Sequence, residues 1–121
     1  MRGWLAGMVG VLAAVPAVAE DADRGRTLFQ RQCAACHQVA QTRNGQGPHL
    51  VGLVGRPAAS VEGFSYSPAL RATGLTWSAE NLNAFLANPQ DVARGTRQPI
   101  RVAGEVDRAD LVAYLSTLVR P

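Results

Sequence analysis

Two thiols three positions apart, with an imidazole directly after the second, are the residues of this chain best suited to chemistry: Cys33-Ala34-Ala35-Cys36-His37. C-x-x-C-H is the attachment signature of a c-type haem. The thiols can add across the two vinyl groups of a porphyrin, and the two intervening residues let both sulfurs reach one edge of the ring. The histidine then falls under the iron and can ligate it through an imidazole nitrogen. A disulfide, a zinc half-site and a thioredoxin-like dithiol are the competing readings. Structural zinc takes four protein ligands, and beyond this stretch there is no further cysteine and one other histidine, His49. A redox dithiol sits in a βαβ pattern, which the sequence lacks.

The segment ahead of this motif reads as an export signal. Met1-Arg2 is a short positive start, residues 3–15 are uncharged and mostly apolar, and Ala17-Val18-Ala19 is a small-residue cleavage site followed by Glu20-Asp21. The apolar stretch is short of the about 20 residues that span a bilayer. The expectation is therefore cleavage after Ala19, release into a bacterial periplasm, no stable membrane insertion and a single domain over 20–121. The 121 residues, 47% hydrophobic and 17% charged, suit one such domain. A covalent haem would add apolar surface to a modest core.

Charge argues against nucleic acid. All 12 basic residues are arginine, and losing Arg2 with the leader leaves eleven against 9 acids, a formal +2. Two haem propionates would roughly cancel that, and the arginines are scattered rather than run together.

The elements that must position the motif are helices. A first helix is expected over 23–35, capped by Asp21 or Asp23, with Gly25, Phe29 and Cys33 on one face. Gly25 costs about 1 kcal/mol inside a helix, which a close approach by another helix would justify. After a polar, glycine-rich stretch over 41–47 comes Pro48-His49-Leu50, and glycines at 45, 47, 52, 55 and 63 punctuate a long irregular region, for which a haem supplies a core. A short helix is expected over 68–72 with Ser67 as cap and Pro68 at its first position. Another runs over 78–88, capped by Ser78, facing inward with Leu82, Phe85 and Leu86, and stopped by Asn88-Pro89. After a loop over 89–106, the last helix starts at an Asp107 cap and carries Leu111, Tyr114, Leu115 and Leu118 on one stripe. No strand pattern of any length is present. The class is all-α with substantial loop.

The order of these features resembles class I cytochrome c, the small soluble monohaem type. Gly25-x-x-x-Phe29-x-x-x-Cys33 resembles the family's first helix, which packs its glycine and aromatic on an aromatic of the last helix, here Tyr114. Gly47-Pro48-His49-Leu50 and Gly55-Arg56 resemble the family's Gly-Pro-Asn-Leu loop and the Gly-Arg after it. Gly63-Phe64-x-Tyr66-Ser67 and Gly74-Leu75-Thr76-Trp77 resemble the segments near the haem propionates, and Asn88-Pro89 with Gly95-Thr96 the entry to the loop of the sixth ligand. The resemblance implies the cytochrome c fold: three main helices, short helices and long loops wrapped around one covalent haem c with its iron. It further implies that Cys33 and Cys36 hold the haem and that His37 is the proximal ligand, with the Pro48 carbonyl accepting its ring N–H. Arg56, Tyr66 and Trp77 would hydrogen-bond around the propionates.

The departure is at the sixth ligand. The family's loop places a methionine shortly after Gly-Thr, whereas this chain reads Gly95-Thr96-Arg97-Gln98-Pro99-Ile100-Arg101-Val102-Ala103-Gly104. Counting forward puts Gln98 at the methionine position; counting backward puts Ile100 there. Met1 and Met8 are the chain's two methionines, both within the expected leader. The remaining choices are the Gln98 side-chain oxygen as a weak axial donor, His49, or water and an open site beside Arg97 and Arg101. His49 follows the proximal Pro48 and is read as a loop residue. The implied function is electron transfer by a periplasmic monomer with redox partner proteins and non-methionine distal ligation. The alternative is a haem protein that binds or senses a small gas or anion. An enzyme is the third choice, because the chain leaves no room for a substrate domain and offers no distal histidine.

Overall fold

The computed structural model describes residues 20–119, with Gly3, Gly7 and Gly10 ahead of them. The expected leader and its cleavage site lie outside the described residues. Five helices follow in order: α1 (Ala22–Gln32), α2 (Pro68–Ala72), α3 (Ala79–Ala87), α4 (Pro89–Val92) and α5 (Glu105–Leu115). Pro57 and Thr76 form an isolated antiparallel bridge, so the all-α class stands.

Helix α1 begins where Asp21 accepts the Arg24 amide at 2.9 Å. It ends at Gln32, three residues before the expected stop. The reason is local: Cys33 leaves helical geometry, and the Ala34 amide bonds back to Phe29 O at 3.0 Å. The Cys33–His37 stretch becomes a tight turn, with the Cys36 and His37 amides both donating to Cys33 O at 3.1 Å.

The core forms where α1 crosses α5. Phe29 and Leu111 are 2% and 1% exposed, the best shielded large apolar side chains of the crossing. Burying such a side chain stabilises by about 1.5–3 kcal/mol. Phe29 also meets the Tyr114 ring, centroids 5.5 Å apart and tilted by 53°. The backbones touch because Gly25 has no side chain: a Cβ there would stand inside the Asp110 carbonyl and 3.0 Å from Tyr114 Cβ.

Helix α5 starts at Glu105 with Gly104 as N-cap, not at an Asp107 cap. Asp107 is spent elsewhere, pairing with Arg24 at 2.6 Å. Beside it, buried Asp110 accepts the Asp21 amide at 2.8 Å and Arg24 Nη1 at 2.7 Å. The Asp21 amide, then Arg24, hold the Asp110 carboxyl below its usual pKa.

Helices α2 and α3 start at Ser67 and Ser78 as expected. Ser78 makes a full capping box, its hydroxyl accepting from the Asn81 amide while Asn81 Oδ1 accepts from the Ser78 amide. Asn88 ends α3, but the expected loop after it begins with the short helix α4, because the Asn88 side chain also accepts from the Gln90 amide at 3.3 Å. The long loops are zipped to one another. Gly55 N–H donates to Trp77 O at 2.7 Å, Trp77 N–H to Arg56 O at 2.9 Å and Ala58 N–H to Leu75 O at 2.7 Å. Gly55 has a φ of +90°, which glycine adopts without strain. Among the described residues no helix is long and apolar enough to cross a membrane.

Candidate haem site

The turn that ends α1 delivers Cys33, Cys36 and His37 to the wall of a half-open cavity of about 360 Å³. Both thiols are free and half-buried. Burial, reinforced by the neighbouring Cys36, pushes the Cys33 thiol up to about 11, so it stands protonated at neutral pH. His37 is shifted the other way: burial lowers its pKa, and Arg56 adds to this against the favourable bond to Pro48. The imidazole is therefore neutral at pH 7, the form that can ligate a metal.

The loop after the turn fixes that imidazole. His37 Nδ1 lies 2.7 Å from the Pro48 carbonyl oxygen. A carbonyl can only accept, so Nδ1 carries the proton and Nε2 keeps its lone pair. Gly47 makes the contact sterically feasible: a Cβ there would lie 2.7 Å from His37 Nδ1 and 2.9 Å from Nε2. A Cβ on Gly45 would likewise come within 2.9 Å of Cys36 O. The sequence flagged these glycines as loop punctuation, but their role as a cradle needs the fold.

The other candidates come from distant loops. Arg56 is 5% exposed, and its Nη1 donates to His49 O at 3.0 Å and Val51 O at 3.3 Å. Tyr66 is buried against Phe64, ring centroids 4.8 Å apart, and its hydroxyl accepts from the Val61 amide at 3.1 Å. Burial raises the Tyr66 pKa, against the Val61 bond and the charges of Arg56 and Arg71. Trp77 packs edge-on against Phe85 at 5.1 Å. All three line the cavity, as do Pro48 and Gln98. Gln98 arrives in a segment, residues 96–100, every member of which lines the cavity, Ile100 included. His49 does not line it; its amide is held by Asn44 Oδ1 at 3.1 Å. Leu53, Leu82, Phe85 and Leu111 supply apolar wall.

Two thiols and a neutral imidazole with Nε2 available, on the wall of an apolar cavity, fit a covalently attached haem. A bare metal ion fits less well. Among the described residues no group of three or more His, Cys, Asp or Glu side chains converges. Such a fold and donor set define a small monohaem electron-transfer protein.

The comparisons place the chain within that class. The cytochrome c family model matches residues 22–119, and the chain belongs to the cytochrome c family, whose members carry one covalent haem c. It is 40% identical over 116 residues to cytochrome c2 of Rhodopseudomonas palustris, covering 82% of this chain and 99% of that protein. It is 40% identical over 115 residues to cytochrome c2 of Rhodomicrobium vannielii, covering 91% of each. It is also 40% identical over 101 residues to cytochrome c-type cyt cy of Rhodobacter capsulatus, covering 83% of this chain but only 50% of that longer protein.

Proposed function

We propose that this chain is an exported, periplasmic electron carrier whose haem iron has no methionine ligand. Residues 1–19 are removed and 20–121 form its single domain. One observation carries the reading: residues 96–100 line the same cavity as Cys33, Cys36 and His37, while 20–121 contain no methionine.

The bound haem supplies one-electron exchange at its iron. Cys33 and Cys36 hold it by thioether bonds. His37 offers Nε2 to the iron, and the Pro48 carbonyl keeps the ring oriented and raises its basicity. Arg56, Tyr66 and Trp77, which line the cavity, would hydrogen-bond around the propionates. Gln98, which lines the cavity, would be the weak distal donor, a neutral amide oxygen in place of a sulfur. Losing methionine removes a ligand that raises the potential, so this carrier works below the potential of methionine-ligated relatives. It acts as a monomer with periplasmic redox proteins, without nucleic acid, stable membrane insertion or an enzymatic step of its own.

Mass and spectra together test the reading. Periplasmic protein should begin near Glu20 and carry one haem, and a mass equal to the bare polypeptide would sink the proposal. Its ferric form should lack the near-infrared band of a methionine-sulfur ligand. The reduced form should bind carbon monoxide, and Gln98→Ala should speed that binding without changing haem content. A reduced protein that ignores carbon monoxide has a strong sixth ligand, and the role given to Gln98 then falls.

A second reading, binding of a small gas or anion, has one specific observation in its favour. Among the described residues, 98–101 form no hydrogen bond to the rest of the protein.

A further inference from the structure

The outer surface around the cavity mouth carries little charge. The exposed residues that line the cavity, and so form its mouth, are Gln32, Gln46, Arg97 and Pro99. Ala34 and Ala35, between the two cysteines, are exposed as well. Arg56 also lines the cavity but is buried, at 5% exposure. Arg31 and Arg101 are exposed and do not line it, and among the described residues no carboxylate does. The carboxylates gather at the other end of α1. Glu20, Asp21 and Asp23 lie at its start, and Asp107 and Asp110 of α5 pair there with Arg24. Glu105 shares the first turn of α5 with Asp107. The 11 residues of α1 put about 16 Å between that end and Cys33.

Such a surface recruits a partner without charge. A steered encounter needs complementary potentials, and its rate falls steeply with salt. Here the mouth has one guanidinium, Arg97, already bonded to the Ser65 carbonyl at 3.0 Å. An exposed ion pair to it would contribute little. The formal +2 of residues 20–121, set against two propionates, leaves almost no net field from the rest of the molecule. The mouth offers amide side chains and the apolar surface of Pro99 and half-buried Ile100. Depletion of charge is what marks the centre of a protein interface.

We propose that the redox protein served by this carrier docks at this mouth with a patch that is itself uncharged, built from amide and small apolar side chains. Gln32, Gln46 and Pro99 are the contact residues, and association depends on fit and burial rather than on steering by charge. The inference rests on the electron-carrier reading proposed above and names the chemistry of the partner.

A second copy of this chain is a partner of that chemistry, so electron self-exchange between ferric and ferrous holoprotein reads the surface directly. The rate is measured from the exchange broadening of haem-methyl proton resonances in mixtures of the two forms. Between about 10 mM and about 150 mM salt the screening length falls from about 30 Å to about 8 Å. The wild-type rate should change by less than about threefold over that range. Gln32→Lys with Gln46→Lys sets two further cations beside Arg97 on each copy. That variant should exchange about tenfold more slowly, or slower still, at the low salt and recover at the high salt. Asp23→Asn with Glu105→Gln shifts the net charge by the same amount at the carboxylate-rich end and should slow exchange much less. Haem absorbance matching wild type shows that each variant is folded. A larger change of the wild-type rate with salt, a mouth variant as fast as wild type, or a remote variant slowed as much as the mouth variant would each overturn the inference. Haem-loaded wild type that exchanges no electrons at any salt concentration overturns the carrier reading, and this inference with it; exchange that proceeds with a strong salt dependence overturns this inference alone.

Discussion

Replacing Gly25 by alanine is the sharpest probe of the α1–α5 crossing. Two effects oppose each other. In an isolated helix the change stabilises by about 1 kcal/mol, because glycine is the poorer helix former. Here the new methyl would lie inside the Asp110 carbonyl and 3.0 Å from Tyr114 Cβ. Carbon atoms at optimal separation sit about 3.5–4.0 Å apart. The first obstacle is backbone, which no rotamer change can move, so the helices must separate. Separation loosens the Phe29–Tyr114 contact and both bonds of Asp110 to the start of α1. Overpacking of this kind costs about 1–3 kcal/mol, and the upper end applies because several contacts shift together. Less the propensity gain, the net loss is about 2 kcal/mol. At roughly 4–8 °C per kcal/mol for a domain of this size, Tm should fall by about 10 °C or more. Thermal and denaturant unfolding of the holoprotein, followed by far-ultraviolet circular dichroism, measure this. Thr27→Ala, exposed on the same helix, is the control and should stay within about 0.5 kcal/mol. A Gly25→Ala protein as stable as wild type would show that the helices do not cross at Gly25. Gly25→Val should be worse.

Asp110 sets an acid limit on the same junction. Its folded pKa lies below the ordinary 3.8, so the stability it contributes is present above that value and lost as pH falls through the lower, folded one. Urea midpoints from pH 7 to pH 2.5 should therefore drop less steeply below pH 4 for Asp110→Asn, which should also be the weaker protein at pH 7. Gly47→Ala should displace His37 and reduce the fraction of protein carrying a spectroscopically normal haem, read from the ratio of haem to peptide absorbance; unchanged spectra would refute the cradle. Arg108→Ala removes donors to Val102 O, Ala103 O and Asn83 Oδ1. It should destabilise by about 1–2 kcal/mol in denaturant, at roughly 1 kcal/mol per net bond with water replacing part of each.

Local chemistry was legible before any coordinates. Asp21, Ser67 and Ser78 cap their helices because a short polar side chain reaches an amide two or three residues on. That bond needs no other part of the chain. The Cys33–His37 spacing and the apolar stripes carry the fold class and the cofactor for the same reason. The errors began where a side chain had a distant choice. Asp107 looked like a cap, but Arg24, 83 residues earlier, holds its carboxylate, and helix α5 starts at Gly104 instead. Asn88 looked like a stop and also starts α4.

Other features had no local signal at all. Nothing in the periodicity of α5 says that Asp110 is buried, because its two partners lie 89 and 86 residues away. The loops show glycines at 45 and 47, but only the folded turn brings the Cys36 carbonyl and the His37 ring against them. The sequence sets Arg97 beside the sixth-ligand position, but only the folded chain brings the Ser65 carbonyl, 32 residues back, against its guanidinium. A cap or a C-x-x-C-H turn is settled by bonds spanning a few residues, so residue type and spacing suffice. A helix crossing or a contact between distant loops is settled by which surfaces meet, and that depends on the packing of the whole chain at once.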